Sequence, residues 1–156
     1  MFQSPQQEHH WLNQLMGEWK FSHKCGPDSV SEGTLTTRSM SGMWVLLEYE
    51  GPMPDSDTPW TSQACLGFDP QTGLYRGTFV ASMMSHLWIY EGELNEDKTA
   101  LVLNVEGPRM DGKPGMAKYR DIYEIVDADH WILRSEMLDE TGDWQPFMEG
   151  HQYRVK

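Results

Sequence analysis

Basic residues are scarce in this 156-residue chain. Twelve Lys and Arg stand against 24 Asp and Glu, a formal charge of −12 with a sequence pI near 4.7. Such a surface repels phosphate backbones, so no nucleic-acid partner is expected. Long apolar runs are also missing. None approaches the roughly 18 residues a membrane-spanning helix needs, so no membrane partner is expected either. Cysteine is limited to Cys25 and Cys65, without the C-x-x-C spacing of redox or zinc sites. Both are read as free, buried thiols. Residues Met1 to Glu8 carry neither the basic nor the apolar stretch of a secretory signal, and cytoplasm is the expected compartment. Leu, Ile, Val and Phe together make less than a fifth of the chain, which beside this net charge would normally signal disorder. The 11 Met, 7 Trp and 6 Tyr reverse that reading, because large aromatics bury enough area to build a core. The length suits one domain, residues 1–156.

The order of apolar and turn residues gives the architecture. Ser4, Pro5 and Gln7 read as a capping box with proline at the first helical position. Trp11, Leu12, Leu15 and Met16 follow at helical spacing until Gly17, so one short helix is expected over about 5–16. Beyond it the period shortens. Alternating or aromatic-rich runs span Glu18–Lys24, Val30–Met40, Met43–Glu50, Thr61–Phe68 and Leu74–Ser82. They continue over His86–Leu94, Leu101–Glu106, Met116–Val126, Trp131–Leu138 and Trp144–Val155. Turn chemistry separates them, as in Gly26-Pro27-Asp28, Asp69-Pro70-Gln71-Thr72-Gly73 and Asp139-Glu140-Thr141-Gly142-Asp143. About ten strands with short connections pair as antiparallel neighbours, and closure removes the two exposed edges of so long a meander. The expected fold is all-β: a single antiparallel up-and-down barrel with the helix capping one end.

Gly17-Glu18-Trp19 opens the first strand, and Arg154 lies near the end of the last. This resembles the calycin superfamily of lipocalins and fatty-acid binders. There a Gly-x-Trp tryptophan packs across the barrel floor beneath a basic residue of the final strand, a cation–π contact by an amphipathic side chain. Gly17, Trp19 and Arg154 are therefore read as a structural signature. Further blocks widen the resemblance: Gly42-Met43-Trp44-Val45, Leu66-Gly67-Phe68-Asp69-Pro70 and Ser82-Met83-Met84-Ser85-His86-Leu87-Trp88. With Met116-Ala117-Lys118-Tyr119-Arg120-Asp121 and Gly142-Asp143-Trp144, they resemble a bacterial family known as domain of unknown function 1579. That resemblance implies a calycin-like barrel and no particular activity.

Enzyme motifs are absent or decoys. Gly107 to Lys113 matches the opening of a phosphate-binding loop, but Pro114 stands where Ser or Thr should follow and strands flank it, so it reads as a hairpin loop. His9-His10 points in two directions from a helix, and Asp55 with Asp57 lacks the rest of a calcium loop, so no metal is expected. Strand alternation then selects one face as the interior. Tyr119, Asp121, Tyr123 and Ile125 share a face, as do Trp131, Leu133, Ser135 and Met137; charged residues dominate the opposite faces. His86, Trp88 and Tyr90 share a face of the sixth strand. An apolar interior with a few polar handles suits a small, partly apolar ligand. Trp88, Tyr90, Tyr119, Tyr123 and Trp131 are assigned to packing against it, and Asp121, Ser135 and His86 to polar anchoring.

An enzyme of the same shape would pair His86 as base with Asp121, though no catalytic residue is assigned. A third reading is a ligand-free interaction domain. The doubly apolar run Met43 to Tyr49 would then bury its outer face in a homodimer. Haem-binding nitrobindins draw their axial His from the C-terminal strand. Here an inward Arg154 turns His151 outward, so no cofactor is expected.

Overall fold

The computed structural model describes residues 2–156. A single α-helical turn, α1 (Gln7–Trp11), runs into a 3-10 turn over Leu12–Leu15. Ten strands follow: β1 (Gly17–Lys24), β2 (Val30–Met40), β3 (Trp44–Gly51), β4 (Trp60–Asp69) and β5 (Leu74–Ala81). The rest are β6 (Met84–Leu94), β7 (Ala100–Pro108), β8 (Met116–Asp127), β9 (His130–Leu138) and β10 (Trp144–Arg154). Each pairs with its sequence neighbours, and β10 returns to β1 with Trp19 opposite Arg154, so the sheet closes into an up-and-down barrel. Among the described residues no helix is long and apolar enough to cross a membrane.

The helical segment departs from its expected course. The N-cap is Gln6, whose backbone N–H donates to His9 Nδ1 at 2.9 Å; Ser4 does not cap. Pro5 instead packs against Gly42 in the β2–β3 turn, where an added Cβ would lie 3.0 Å from its ring. After Trp11 the coil tightens to 3-10, in which residues three apart eclipse. That places Leu12 and Leu15 on one side, both buried over the barrel end.

Inward and outward residues alternate as the pleat requires. At the helix end the interior is packed solid with Trp19, Leu35, Leu66, Leu101, Leu103 and Trp131, each at most 1% exposed. A fully buried leucine contributes about 1.5–3 kcal/mol, which makes this end the stable base of the barrel. At the opposite end, inward His23, Ser62, Phe79, Met84, Met137 and Met148 are only half-buried. Register shifts fall at Phe79/Ala81, Ile125/Asp127 and Pro146/Met148, near strand ends, so alternation through the strand bodies survives. The outer wall of β8 to β10 is a ladder of ion pairs. Arg134 reaches Glu124 at 3.2 Å and Glu149 at 3.3 Å, and Arg120 pairs with Glu136. Pairs this exposed contribute about 0–1 kcal/mol each.

One seam is only partly zipped. The β6–β7 ladder runs from Glu91 opposite Asn104 to Leu94 opposite Leu101 and stops there. Beyond it the Trp88 ring lies on Gly107, where a Cβ would come within 2.1 Å of it, and His86 Nε2 sits 3.2 Å from the Glu106 carbonyl. A trough of about 700 Å³ follows this seam on the outer wall, between Ile89, Glu91, Val102 and Lys118.

Two expectations about side chains change. Both cysteines are free, but Cys25 is exposed in the β1–β2 loop rather than buried, and Cys65 is half-buried. On the outer face of β3, Leu46 is 7% exposed and the Trp44 ring lies across Gly67. Leu46 is thus covered by the chain itself, while Trp44 on the same outer face remains 38% exposed.

Candidate functional site

The floor comes first because it fixes the register. Arg154 lays its guanidinium 4.1 Å from the centre of the Trp19 ring. It also donates to the Met16 carbonyl at 2.8 Å and the Ala128 carbonyl at 2.9 Å. Gly17 has φ +116, and a Cβ there would meet Arg154 Nη1 at 2.5 Å, so the motif's glycine is required twice over. Trp131 lies edge-on to Trp19 and stacks on Tyr123 with ring centres 5.4 Å apart. Trp131 and Tyr123 thus belong to the floor.

Above the floor a polar cluster interrupts the apolar interior. Asp121 stands directly across the β8–β9 ladder from Ser135, whose hydroxyl donates to Oδ1 at 2.7 Å. The Tyr90 hydroxyl, reaching from β6, donates to Oδ2. Burial pushes the Asp121 carboxyl above the usual carboxylate range, with the two hydroxyls opposing that rise. Tyr49 enters from β3, 5% exposed, and its buried hydroxyl has no hydrogen-bond partner. Its phenol is raised well above the ordinary tyrosine value, first by burial and then by the charge of Asp121. The phenols of Tyr90 and Tyr123 are raised too, burial being the largest influence on both, followed by Asp121 for Tyr90 and by Tyr49 and then Asp121 for Tyr123.

Aromatic walls face each other toward the half-buried end. On one side Phe21 packs against Tyr49 and Trp60 with centres 5.6 and 5.7 Å apart. On the other, Trp88 meets Tyr119 at 5.3 Å, and Tyr119 meets Phe147 at 5.9 Å. The Tyr119 hydroxyl is engaged at the rim, donating to the Pro108 carbonyl and accepting from the Met110 N–H. His23 faces inward beside Phe21 and Tyr49. Gln152 commits its amide NH₂ to the Trp131 and Gly150 carbonyls, leaving Oε1 to accept Nε2–H of His23 at 2.6 Å.

The structure does not bring His86 to Asp121. His86 sits at the rim beside Glu106 and Trp88. Asp121 is level, through Leu103, with Gly92, about 20 Å further along β6 at roughly 3.3 Å per residue. A base–carboxylate dyad is therefore not assembled, and the cluster around Asp121 is suited to recognition by hydrogen bonds. His151 lies on the outer wall beside His130, with ring centres 5.1 Å apart, and 3.1 Å from Glu149. The last strand thus presents Gly150 and Gln152, not an imidazole, to the interior.

Alternation did not single out Tyr49, Phe21, His23 or Trp60. Phe21 and His23 follow from Trp19 by the same two-residue step, so the signal was present. Tyr49 was masked by a strand apolar on both faces, and Trp60 by the proline-rich loop before it.

The barrel is shared with proteins of distant sequence. The crystal structure of Rv2717c from M. tuberculosis superposes with TM-score 0.62 at 13% identity, over 98% of this chain and 100% of that one. A redesigned β-barrel gives TM-score 0.51 at 10% identity, over 99% and 100%. Among curated proteins none matches the sequence. Residues 4–154 match the model of a family described as protein of unknown function, DUF1579, and the chain belongs to that family.

Proposed function

We propose that this barrel binds a small, partly apolar molecule in the half of its interior opposite the helix. The carrying observation is the buried Tyr49 hydroxyl without a partner, beside a carboxylate that only two hydroxyls satisfy. An unsatisfied buried polar group costs about 1–3 kcal/mol, a cost that a ligand's polar atom would offset. Half-buried methionines at the same end, Met84, Met137 and Met148, adapt their shape to an apolar guest. Trp88, Tyr90, Tyr119 and Asp121 contact the guest in this reading, with Ser135 orienting Asp121. Tyr123 and Trp131 support it from below, and His86 belongs to the rim. Native mass spectrometry of the full chain, combined with displacement of an apolar fluorescent probe, tests the proposal. A probe that binds one to one in the wild type and is lost in Trp88→Ala and Tyr90→Phe is the expected result. A bare mass together with a probe that fails to bind the wild type would overturn it.

A further inference from the structure

We infer that the ligand is a small organic amine bound as its cation, with Asp121 as counter-ion. This rests on the binding reading above and adds the charge of the guest.

Asp121 is an inward, half-buried acid without a basic neighbour. It takes part in none of the ion pairs formed among the described residues, and it is influenced by burial and by two hydroxyls, with no charged side chain among the causes. A buried carboxylate must either pair or give up its charge. The Tyr90 and Ser135 hydroxyls each occupy one lone-pair direction, on different oxygens, so each oxygen can still accept one bond. An ammonium brings three donors and no acceptor. Its donors match in number the two free carboxylate positions and the Tyr49 oxygen, whose hydroxyl has no partner. A ligand carboxylate would meet an ionised Asp121 as a like charge and is disfavoured.

The surroundings favour the same charge. Phe21, Tyr49 and Trp60 on one wall and Trp88 and Tyr119 on the other present ring faces and edges around the cluster. A cation near an aromatic face gains about 0.5–2 kcal/mol. The protein's net charge of −12 raises the local concentration of cations before binding. The phenols of Tyr49, Tyr90 and Tyr123 stay neutral because burial and Asp121 both resist their ionisation, so one carboxylate sets the charge of the guest.

The test uses two probes of one shape and different charge, phenethylamine and 2-phenylethanol. Each is titrated by calorimetry at neutral pH into the full-length wild type, Asp121→Asn and Tyr49→Phe. The expected result is an amine bound about ten-fold or more tighter than the alcohol, a preference of about 1.4 kcal/mol. Asp121→Asn should abolish that preference, and Tyr49→Phe should weaken the amine several-fold. Circular dichroism checks that the variants fold; if Asp121→Asn does not, the wild-type comparison and Tyr49→Phe decide. An alcohol that matches the amine in the wild type would overturn the cationic guest and leave the binding reading standing. Failure of both probes at millimolar concentration would overturn the two together.

Discussion

His23 shows how one half-buried group ties the barrel to pH. Its imidazole is held below the ordinary histidine value chiefly by burial, with a smaller push from His151 and an opposing pull from Gln152. The folded ring is the neutral Nε2–H tautomer, because Gln152 can offer it only an acceptor. The sign follows from linkage. A base whose folded value lies below its unfolded value of about 6.5 binds fewer protons when folded. Its stabilising contribution is therefore complete above pH 6.5 and is lost as pH falls from there toward the lowered value. The melting temperature of the wild type should drop over that window, and His23→Gln should flatten the drop while leaving stability at pH 8 within about 1 kcal/mol. Identical slopes for the two proteins between pH 8 and pH 5 would show that His23 is not the group responsible.

Elements are shaped by where glycine allows an aromatic ring to lie flat. Phe21 faces Gly33, Trp60 faces Gly51, and Trp44 faces Gly67 across adjacent strands. In each case an added Cβ would come within 2.7 Å of the ring. Trp88 on Gly107 repeats this where the β6–β7 ladder has already ended. Gly107→Ala should thus cost about 1–3 kcal/mol by overpacking and shift Trp88 fluorescence. Gly73→Ala, with φ +72 and open space at its Cβ, should cost only the roughly 1–2 kcal/mol of a left-handed alanine. Chemical denaturation of both variants separates the two mechanisms; a Gly107→Ala variant with unchanged Trp fluorescence would count against ring displacement.

The strands were legible for the same local reasons. Asp69 closes its turn by accepting from Gln71 and Gly73, chemistry written in five consecutive residues. The start of the helix was not legible, because what removes Pro5 from the first turn is Gly42, a contact made only on folding. Faces were legible in strands with one charged side, such as β8, and illegible in β3, where Trp44 and Leu46 lie outside. Contact across the interior depends on how far strands slide past each other. Alternation carries no such information, which is why His86 and Asp121 share an inward parity and remain apart.

At the scale of the whole molecule, the imbalance of charge competes with local ion pairs. Acids exceed bases by 12, and closure holds those charges on a small barrel where they repel one another. Salt bridges such as Arg38–Glu48 and Arg134–Glu149 oppose this, but exposed pairs contribute only about 0–1 kcal/mol each. With half as many bases as acids, pairing leaves at least 12 acidic charges without a basic partner even if every Lys and Arg were engaged. Raising ionic strength from about 0.01 M to 0.15 M shortens the screening length from roughly 30 Å to 8 Å, from more than a barrel's width to about two strands. Repulsion across the barrel is thereby removed, while pairs in contact are weakened far less. The melting temperature should therefore rise over that range, by about 2–4 °C for each kcal/mol relieved in a domain of this size. Sodium chloride and tetramethylammonium chloride should act alike, since screening depends on charge and not on a bound ion. A melting temperature that falls with salt would mean that the ion-pair ladder of β8 to β10 outweighs the net repulsion. Substituting Arg134 by Gln should then remove most of the salt dependence.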